Sequence, residues 1–340
     1  MPFLSLMRHA QRHATVLVVL LLVMHAMGSV YAASPLRIRF SHVVTPDTPK
    51  GRMAERFRNL VAQRSQGRIA VEVFPNSSLY GDEDEFEALR LGAVEMLAPS
   101  LSKFGATGVT AFEVFDLPFL FPDLASVHCV THGPIGTRLL KQLARQQMVG
   151  LGFTDAGFKH MSGRRALQSP VDYRGLRLRI QASNVLADQM RALGAQPVVL
   201  PFGETQRALA YRVVDGTENP ITNFVSQGLA SVQPAVTLTQ HGYLGYAIVA
   251  NPMFWDSLSA EDRDLIQQAL DDALAASDAQ AAALELQAQR ELAHKQGVTI
   301  YRISASQRAA LRQATQPAYD GFIRRGGEAL VAEITRECLH

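Results

Sequence analysis

The chain changes its hydrophobic period repeatedly, and each change marks an element. "LRIRFS" at 36–41 alternates apolar and polar residues, the period-two pattern of a half-buried strand. Behind it, "TPKGRMAERFRNLVAQRSQG" sets Met53, Phe57, Leu60 and Val61 at helical spacing, with Gly67 as the stop. "RIAVEVF" at 68–74 reads as a second strand, and "GDEDEFEALRLGAVEML" then opens a second helix. The alternation recurs from about 149 to 215, with strands near "MVGLGFT", "LRLRIQ" and "AQPVVL", and "YAIVAN" at 246–251 is a further strand. Strand and helix in alternation predict an α/β fold with helices on a largely parallel sheet. From Ser259 to Gln296 the character changes. This run is rich in Ala, Leu and Gln, has no Pro or Gly, and starts with a Ser259/Asp262 capping pattern. It predicts one long helix or two in series. No repeat and no low-complexity linker divides the chain.

The first residues carry a different pattern. Arg8 and Arg12 precede the uncharged run "TVLVVLLLVMHAMGSV", and Val30-Tyr31-Ala32-Ala33 is a small-residue site of the A-x-A kind. A basic start, an apolar middle and a small-residue end read as a secretory signal peptide, residues 1–32, cut after Ala32. The run is short for a membrane span and no stop-transfer pattern follows. Removal takes two of the 33 basic residues and none of the 31 acidic ones, so a mature chain of 308 residues carries no net charge with His neutral. Without a basic tract there is no electrostatic reason to expect nucleic acid or an anionic membrane surface. Cys129 and Cys338 are the only cysteines. In an oxidising compartment they pair if the fold brings them together, and otherwise stand as two separate thiols.

Candidate chemistry is sparse. The chain has no G-x-S-x-G, no G-x-x-x-x-G-K-[ST], no H-E-x-x-H and no C-x-x-C. The acids Asp82, Glu83, Asp84 and Glu85 fall in a predicted first helical turn, where negative charge suits the helix dipole. Consecutive acids on a helix do not converge on one ion. His128, Cys129 and His132 have a metal-like spacing, but the second half of a ligand set is missing, so neither a metal nor a cofactor is expected. His42, His160 and His241 are isolated. The arginines differ. In "RGLRLRIQ", Leu176, Leu178 and Ile180 alternate with Arg177 and Arg179. A guanidinium matches a carboxylate with two parallel hydrogen bonds, so Arg179 at a strand end facing a cleft is a carboxylate receptor, and on a surface strand it only solvates a face. "YRVVDGTENPITNF" at 211–224 adds neutral hydrogen-bonding groups, fit for a ligand rim or for an ordinary turn.

These stretches, taken together, resemble the substrate-binding proteins of TRAP transporters, the tripartite ATP-independent periplasmic systems, and their dicarboxylate-binding, DctP-like branch. The resemblance rests on "SHVVTPDTPKG" (41–51), "VEVFPNSSLYGDEDEFEALRLGAVEMLAPSLSKFG" (71–105), "FEVFDLPFLF" (112–121), "GLRLRIQAS" (175–183), "VVDGTENP" (213–220) and "HGYLGYAIVAN" (241–251). It implies a periplasmic-binding-protein fold: two α/β lobes around a cleft, joined by crossing hinge strands and braced by a long helix. Lobe one would hold 33–161 and 243–283, and lobe two 162–242 and 284–340. The family's carboxylate-pairing arginine matches Arg179, its second arginine Arg165, and its asparagine Asn219. From the other lobe the resemblance points to Ser100, Ser102 and Lys103, with Lys103 meeting a second carboxylate, and to Ser41, His42 and Val43. Phe158 and Tyr243 are further wall candidates.

Two positions depart from the family pattern. Ala166 stands where relatives carry proline, which leaves Arg164 and Arg165 as alternatives. Gln206 in "FGETQ" replaces a tyrosine. The implied function is a non-enzymatic periplasmic receptor for a small organic acid, a four-carbon dicarboxylate such as malate, succinate or fumarate, with TRAP membrane permease subunits as partners. The alternatives are a same-fold receptor for a monocarboxylate, keto acid, sugar acid or aromatic acid, and an exported hydrolase.

Overall fold

Two strands are much longer than their sequence patterns suggest, and they organise the molecule. The computed structural model describes residues 35–339, so the signal peptide expected at 1–32 lies outside the described residues. Nine strands form one sheet in the order β2-β1-β3-β8-β4-β7-β5-β6, with β9 also on β8. They are β1 (Leu36–Ser41), β2 (Ile69–Phe74), β3 (Met96–Leu97), β4 (Val149–Gly163), β5 (Arg177–Ile180), β6 (Gln196–Val199), β7 (Gly216–Asn219), β8 (Ala235–Ala250) and β9 (Thr299–Arg302). The antiparallel pair β4 and β8 spans the sheet, 15 and 16 residues long. One end of this pair carries β3 and, parallel to it, β1. The other end carries β7, with β5 and β6 parallel to it. The sheet is therefore mixed rather than largely parallel, because β4 and β8 run antiparallel to each other and to β7 and β3, while β9 joins β8 in parallel.

The β4–β8 register shifts three times, at Gly150/Gly152, Asp155/Gly157 and Lys159/Met161. Such bulges bend a strand and increase its twist. Gly157 has φ +127°, a conformation closed to residues with a Cβ, and it sits in the middle shift.

Helices form where the caps allow. Thr48 caps Pro49–Arg64, with Oγ1 accepting from the Gly51 amide at 3.2 Å and proline at the first position. The acidic run does not lie inside a helix as expected. That helix spans only Glu85–Arg90, so Asp82 precedes it and is free to point elsewhere. The Ala-rich run is a single helix, Ala260–Ala293, 34 residues and about 50 Å long, capped by Ser259. Its buried face is mostly small, with Ala269, Ala273, Ser277, Ala281 and Ala288, so it lies close against helix Pro49–Arg64 and strand β4. No described helix is long and apolar enough to cross a membrane.

One large apolar cluster runs from Leu89 and Leu97 through Phe104, Phe112 and Phe115 to Phe153 and Val249. Ala318, Phe322, Ile334 and Cys338, from the segment expected with lobe two, belong to this same cluster. Cys129 and Cys338 form a disulfide with their Cα atoms 5.6 Å apart. Separate clusters surround Leu178, Ile180 and Met190, and Leu209, Phe224 and Val236.

Candidate functional site

The carboxyl ends of β1, β3, β5, β6 and β7 converge on one small, mostly buried cavity of about 20 Å³. In open α/β sheets this is where ligands bind. Val43 and Val44 come from the loop after β1, and Lys50 from the first turn of helix Pro49–Arg64. Ser100 and Lys103 follow β3. Arg179 and Gln181 stand at the end of β5, Phe202 follows β6, and Asn219 ends β7. Asn223, Leu244 and Tyr246 complete the wall with Asp82.

Arg179 is 2 % exposed and forms no ion pair among the described residues. Its Nε donates to the Leu200 carbonyl at 2.9 Å, and its guanidinium carbon lies 5.8 Å from the Phe202 ring centroid. Burial pushes its pKa down, while the carboxylates of Asp82 and Glu218 hold it up. A buried guanidinium with only one carbonyl partner has most of its five N–H donors left to offer. Arg177, two residues earlier, is instead spent on Asp215, with Nε to Oδ2 at 3.1 Å and Nη2 to Oδ1 at 3.0 Å. Asn219 is buried beside this site, with Nδ2 donating to Thr217 Oγ1 at 3.4 Å.

Two lysines line the opposite wall, and they differ. Lys103 Nζ lies 2.7 Å from Asp82 Oδ1 and also bonds Glu85. Burial works against its charge, but these two carboxylates raise its pKa above the ordinary lysine value. Lys50 has no carboxylate. Its Nζ donates to the Ala98 carbonyl at 2.9 Å and sits 3.8 Å from the Tyr246 ring centroid. Burial, helped by the nearby Lys103 charge, pushes its pKa down to about 7. Asp82 holds the second wall too, its Oδ2 accepting from the Phe202 amide at 2.6 Å. Ser100 Oγ donates to Gln181 Oε1 across the cavity.

Six expected residues lie elsewhere. Ser41 and His42 are buried but do not line the cavity, and burial with the Lys50 charge pushes the His42 imidazole down to about 3. Ser102 bonds Asp116 Oδ1 at 2.7 Å, in a buried network under the floor. There Lys159 Nζ meets Glu218 Oε1 at 2.8 Å and Asp116 Oδ1 at 3.4 Å, and His241 Nε2 lies 2.8 Å from Glu218 Oε2. Tyr243 is buried and donates its hydroxyl to Asp155 Oδ1. Phe158 lines a separate groove with Gly157 and His160. Arg165 is exposed, donating Nη2 to the Asp172 carbonyl at 3.0 Å, and Arg164 is exposed as well. Neither reaches the cavity, because "SGRRA" leaves the sheet after β4 ends at Gly163. Gln206 also stays away from it, with Nε2 3.4 Å from Ser231 Oγ.

Lys50, Asp82, Gln181, Phe202 and Tyr246 were not foreseen, whereas Asn223 belongs to the polar run read as a ligand rim or an ordinary turn. Lys50 had one available signal, a lysine in the first turn of a helix, where a cation opposes the dipole.

Comparison with known proteins gives one consistent result. The family model described as bacterial extracellular solute-binding protein, family 7 (DctP) matches residues 40–325. The C4-dicarboxylate-binding periplasmic protein DctP of Rhodobacter capsulatus is 44 % identical over 302 residues, 89 % of this chain and 91 % of the relative. A TRAP periplasmic solute binding protein of Shewanella oneidensis, solved with bound succinate, superposes with a TM-score of 0.87 at 38 % identity, covering 89 % of this chain and 99 % of that one. Another from Pseudomonas aeruginosa, solved with bound L-malate, gives a TM-score of 0.82 at 38 % identity, over 84 % and 100 %. With its sheet of crossing strands and its cavity at the strand ends, the chain belongs to family 7 of the bacterial extracellular solute-binding proteins, the DctP family of TRAP receptors.

Proposed function

We propose that this protein is the periplasmic receptor of a TRAP transporter and binds a four-carbon dicarboxylate between its two lobes. The observation that carries the reading is Arg179, a buried guanidinium on the cavity wall with no carboxylate partner among the described residues. A buried carboxylate must be paired and hydrogen-bonded to offset its desolvation. Arg179 and Asn219 supply that shell from one side. Lys50, the other cavity cation without a carboxylate, takes the second carboxylate of the ligand, while Lys103 keeps Asp82 and Glu85 in place. The present cavity holds little more than one water. Entry therefore needs the walls to part, and closure on the acid completes the shell, which links occupancy to shape. The closed form is what membrane permease subunits would read. Relatives that carry succinate and malate support the choice of acid.

The test is thermal unfolding of residues 33–340 against a panel of mono-, di-, keto, sugar and aromatic acids. Succinate, malate or fumarate at 100 Kd should stabilise by about 2.7 kcal/mol, a rise of roughly 5–10 °C. Arg179→Ala should lose this response, with affinity down about 100-fold or more. A response confined to a sugar or aromatic acid would keep the receptor and overturn the dicarboxylate. Turnover of the bound acid, followed by NMR, would overturn the receptor reading altogether.

A further inference from the structure

The other side of β4 carries a second cluster of chemistry-bearing side chains, remote in role from the cavity. His128 and His132 stand four residues apart on helix Leu124–Thr131 and its cap, so they share one face, their rings stacked at 4.7 Å. His128 Nε2 lies 2.6 Å from Asp155 Oδ2, on β4. His132 Nε2 lies 3.3 Å from Asp278 Oδ2, on the long helix. The donor atoms of His128, Asp155 and Asp278 all fall within 4.8 Å of one another. We propose that His128, His132, Asp155 and Asp278 form a binding site for one zinc-class divalent cation, which ties helix Leu124–Thr131, strand β4 and the long helix together.

The donor set has the right chemistry. Imidazole is a borderline ligand and carboxylate oxygen a hard one, and Zn²⁺ takes both in tetrahedral sites, the two imidazoles favouring it over Mg²⁺ and Ca²⁺. Cys129 lies between the histidines, but its sulfur is committed to Cys338, so the site is N₂O₂ and not a thiolate site. Three of the four donors already face one point, and His132, so far in contact with Asp278 alone, joins by a turn of its exposed side chain. Tetrahedral ligands at zinc-bond length stand about 3.3 Å apart. The His132–Asp278 pair is already there, and the His128–Asp155 pair must open by less than about 1 Å.

Both carboxylates are held from outside, as metal ligands generally are. The Tyr243 hydroxyl donates to Asp155 Oδ1. Asp278 Oδ1 accepts from the Asp155 amide and from Thr154 Oγ1, each at 3.0 Å. Asp155 is 2 % and Asp278 7 % exposed, two acids packed side by side, and a dication neutralises that pair. Entry is open. His128, His132 and Asp278 line a surface groove of about 580 Å³.

The experiment is calorimetric titration of Zn²⁺ alone into the mature chain after treatment with chelator, with Mg²⁺ and Ca²⁺ as controls. One Zn²⁺ per chain should bind with Kd tighter than about 10 µM, raise the unfolding midpoint, and be ignored by the two hard cations. Co²⁺ in its place should give the intense visible absorption of a tetrahedral ion. His132→Ala and Asp278→Asn should each weaken Zn²⁺ by about 10-fold or more. The His132 side chain is 53 % exposed, so that variant tests the site without disturbing a core, and its response to the organic acid verifies its fold. No saturable binding up to about 100 µM Zn²⁺ overturns the site. So does binding that is unchanged in both variants, which would place the ion elsewhere.

Discussion

At the scale of single residues, the two lysines on the cavity wall separate by their partners. Lys103 is a structural cation whose charge answers Asp82 and Glu85. Lys50 answers only a carbonyl and an aromatic face, and its depressed pKa makes it the pH-sensitive group of the site. Free Lys50 loses its proton as pH rises through about 7. A dicarboxylate favours the charged form, so binding above that pH must take up a proton, and affinity falls as pH rises. Calorimetry at pH 6 and pH 8.5, in buffers of different ionisation heat, should show up to one proton taken up at the higher pH and a weaker Kd there. In Lys50→Met the proton uptake should vanish, with dicarboxylates weakened by about 10-fold or more and monocarboxylates spared. Strand alternation and a polar turn left Arg179 and Asn219 open to ordinary roles, and the family resemblance singled them out; both line the cavity. Lys50 was not singled out, since one lysine in an amphipathic helix looks like any solvated cation. Asp82 was misplaced for a related reason: helix dipole arguments assign acids to the first turn, and here the helix starts three residues later.

At the scale of elements, β4 and β8 do the joining, and their long pairing is sealed by charge. Lys159 on β4 bonds Asp116 in the segment before the crossing and Glu218 on β7 beyond it, all three nearly fully buried. Removing one partner of a buried ion set leaves charge without compensation. Lys159→Met should therefore destabilise by about 3 kcal/mol or more, read as a lowered denaturant midpoint. Lys159→Met with Glu218→Gln should recover part of the loss, and a single variant as stable as the parent would remove the network from the account. Sequence patterns found these strands only in part. "MVGLGFT" covers one end of β4, and "YAIVAN" the last third of β8. Three register shifts break the period-two signal, and burial of both faces removes the polar half of the alternation. The long helix was legible in extent, because it has a capping serine, no breaker and one composition throughout, but the sequence left one helix or two in series open and the fold makes it one.

At the scale of the whole molecule, the resemblance gave the two-lobe architecture, and no composition argument would have. Long-range closure was beyond any local signal. The sequence left Cys129 and Cys338 open to pairing or to separate roles, and only the fold brings helix Glu328–Cys338 against helix Leu124–Thr131. In the chain-entropy view, a cross-link over 209 residues stabilises by at most about 5 kcal/mol. The double variant Cys129→Ser/Cys338→Ser should lower the unfolding midpoint by several degrees and leave the dicarboxylate Kd within about 2-fold, since neither sulfur touches the cavity. Equal midpoints with and without reductant would mean that packing alone holds the two helices.

That disulfide also sets an order in time. Six of the nine strands, β4 through β9, lie between its two sulfurs in sequence. A chain that becomes available in sequence order can build β1 and β2 early, yet it cannot shut the apolar cluster around Val127 until Ala318, Phe322 and Ile334 arrive. The half that starts first is finished last. Until then its unfilled groove is exposed, which makes the interval between the two cysteines the window in which a chaperone or an oxidant has most to do.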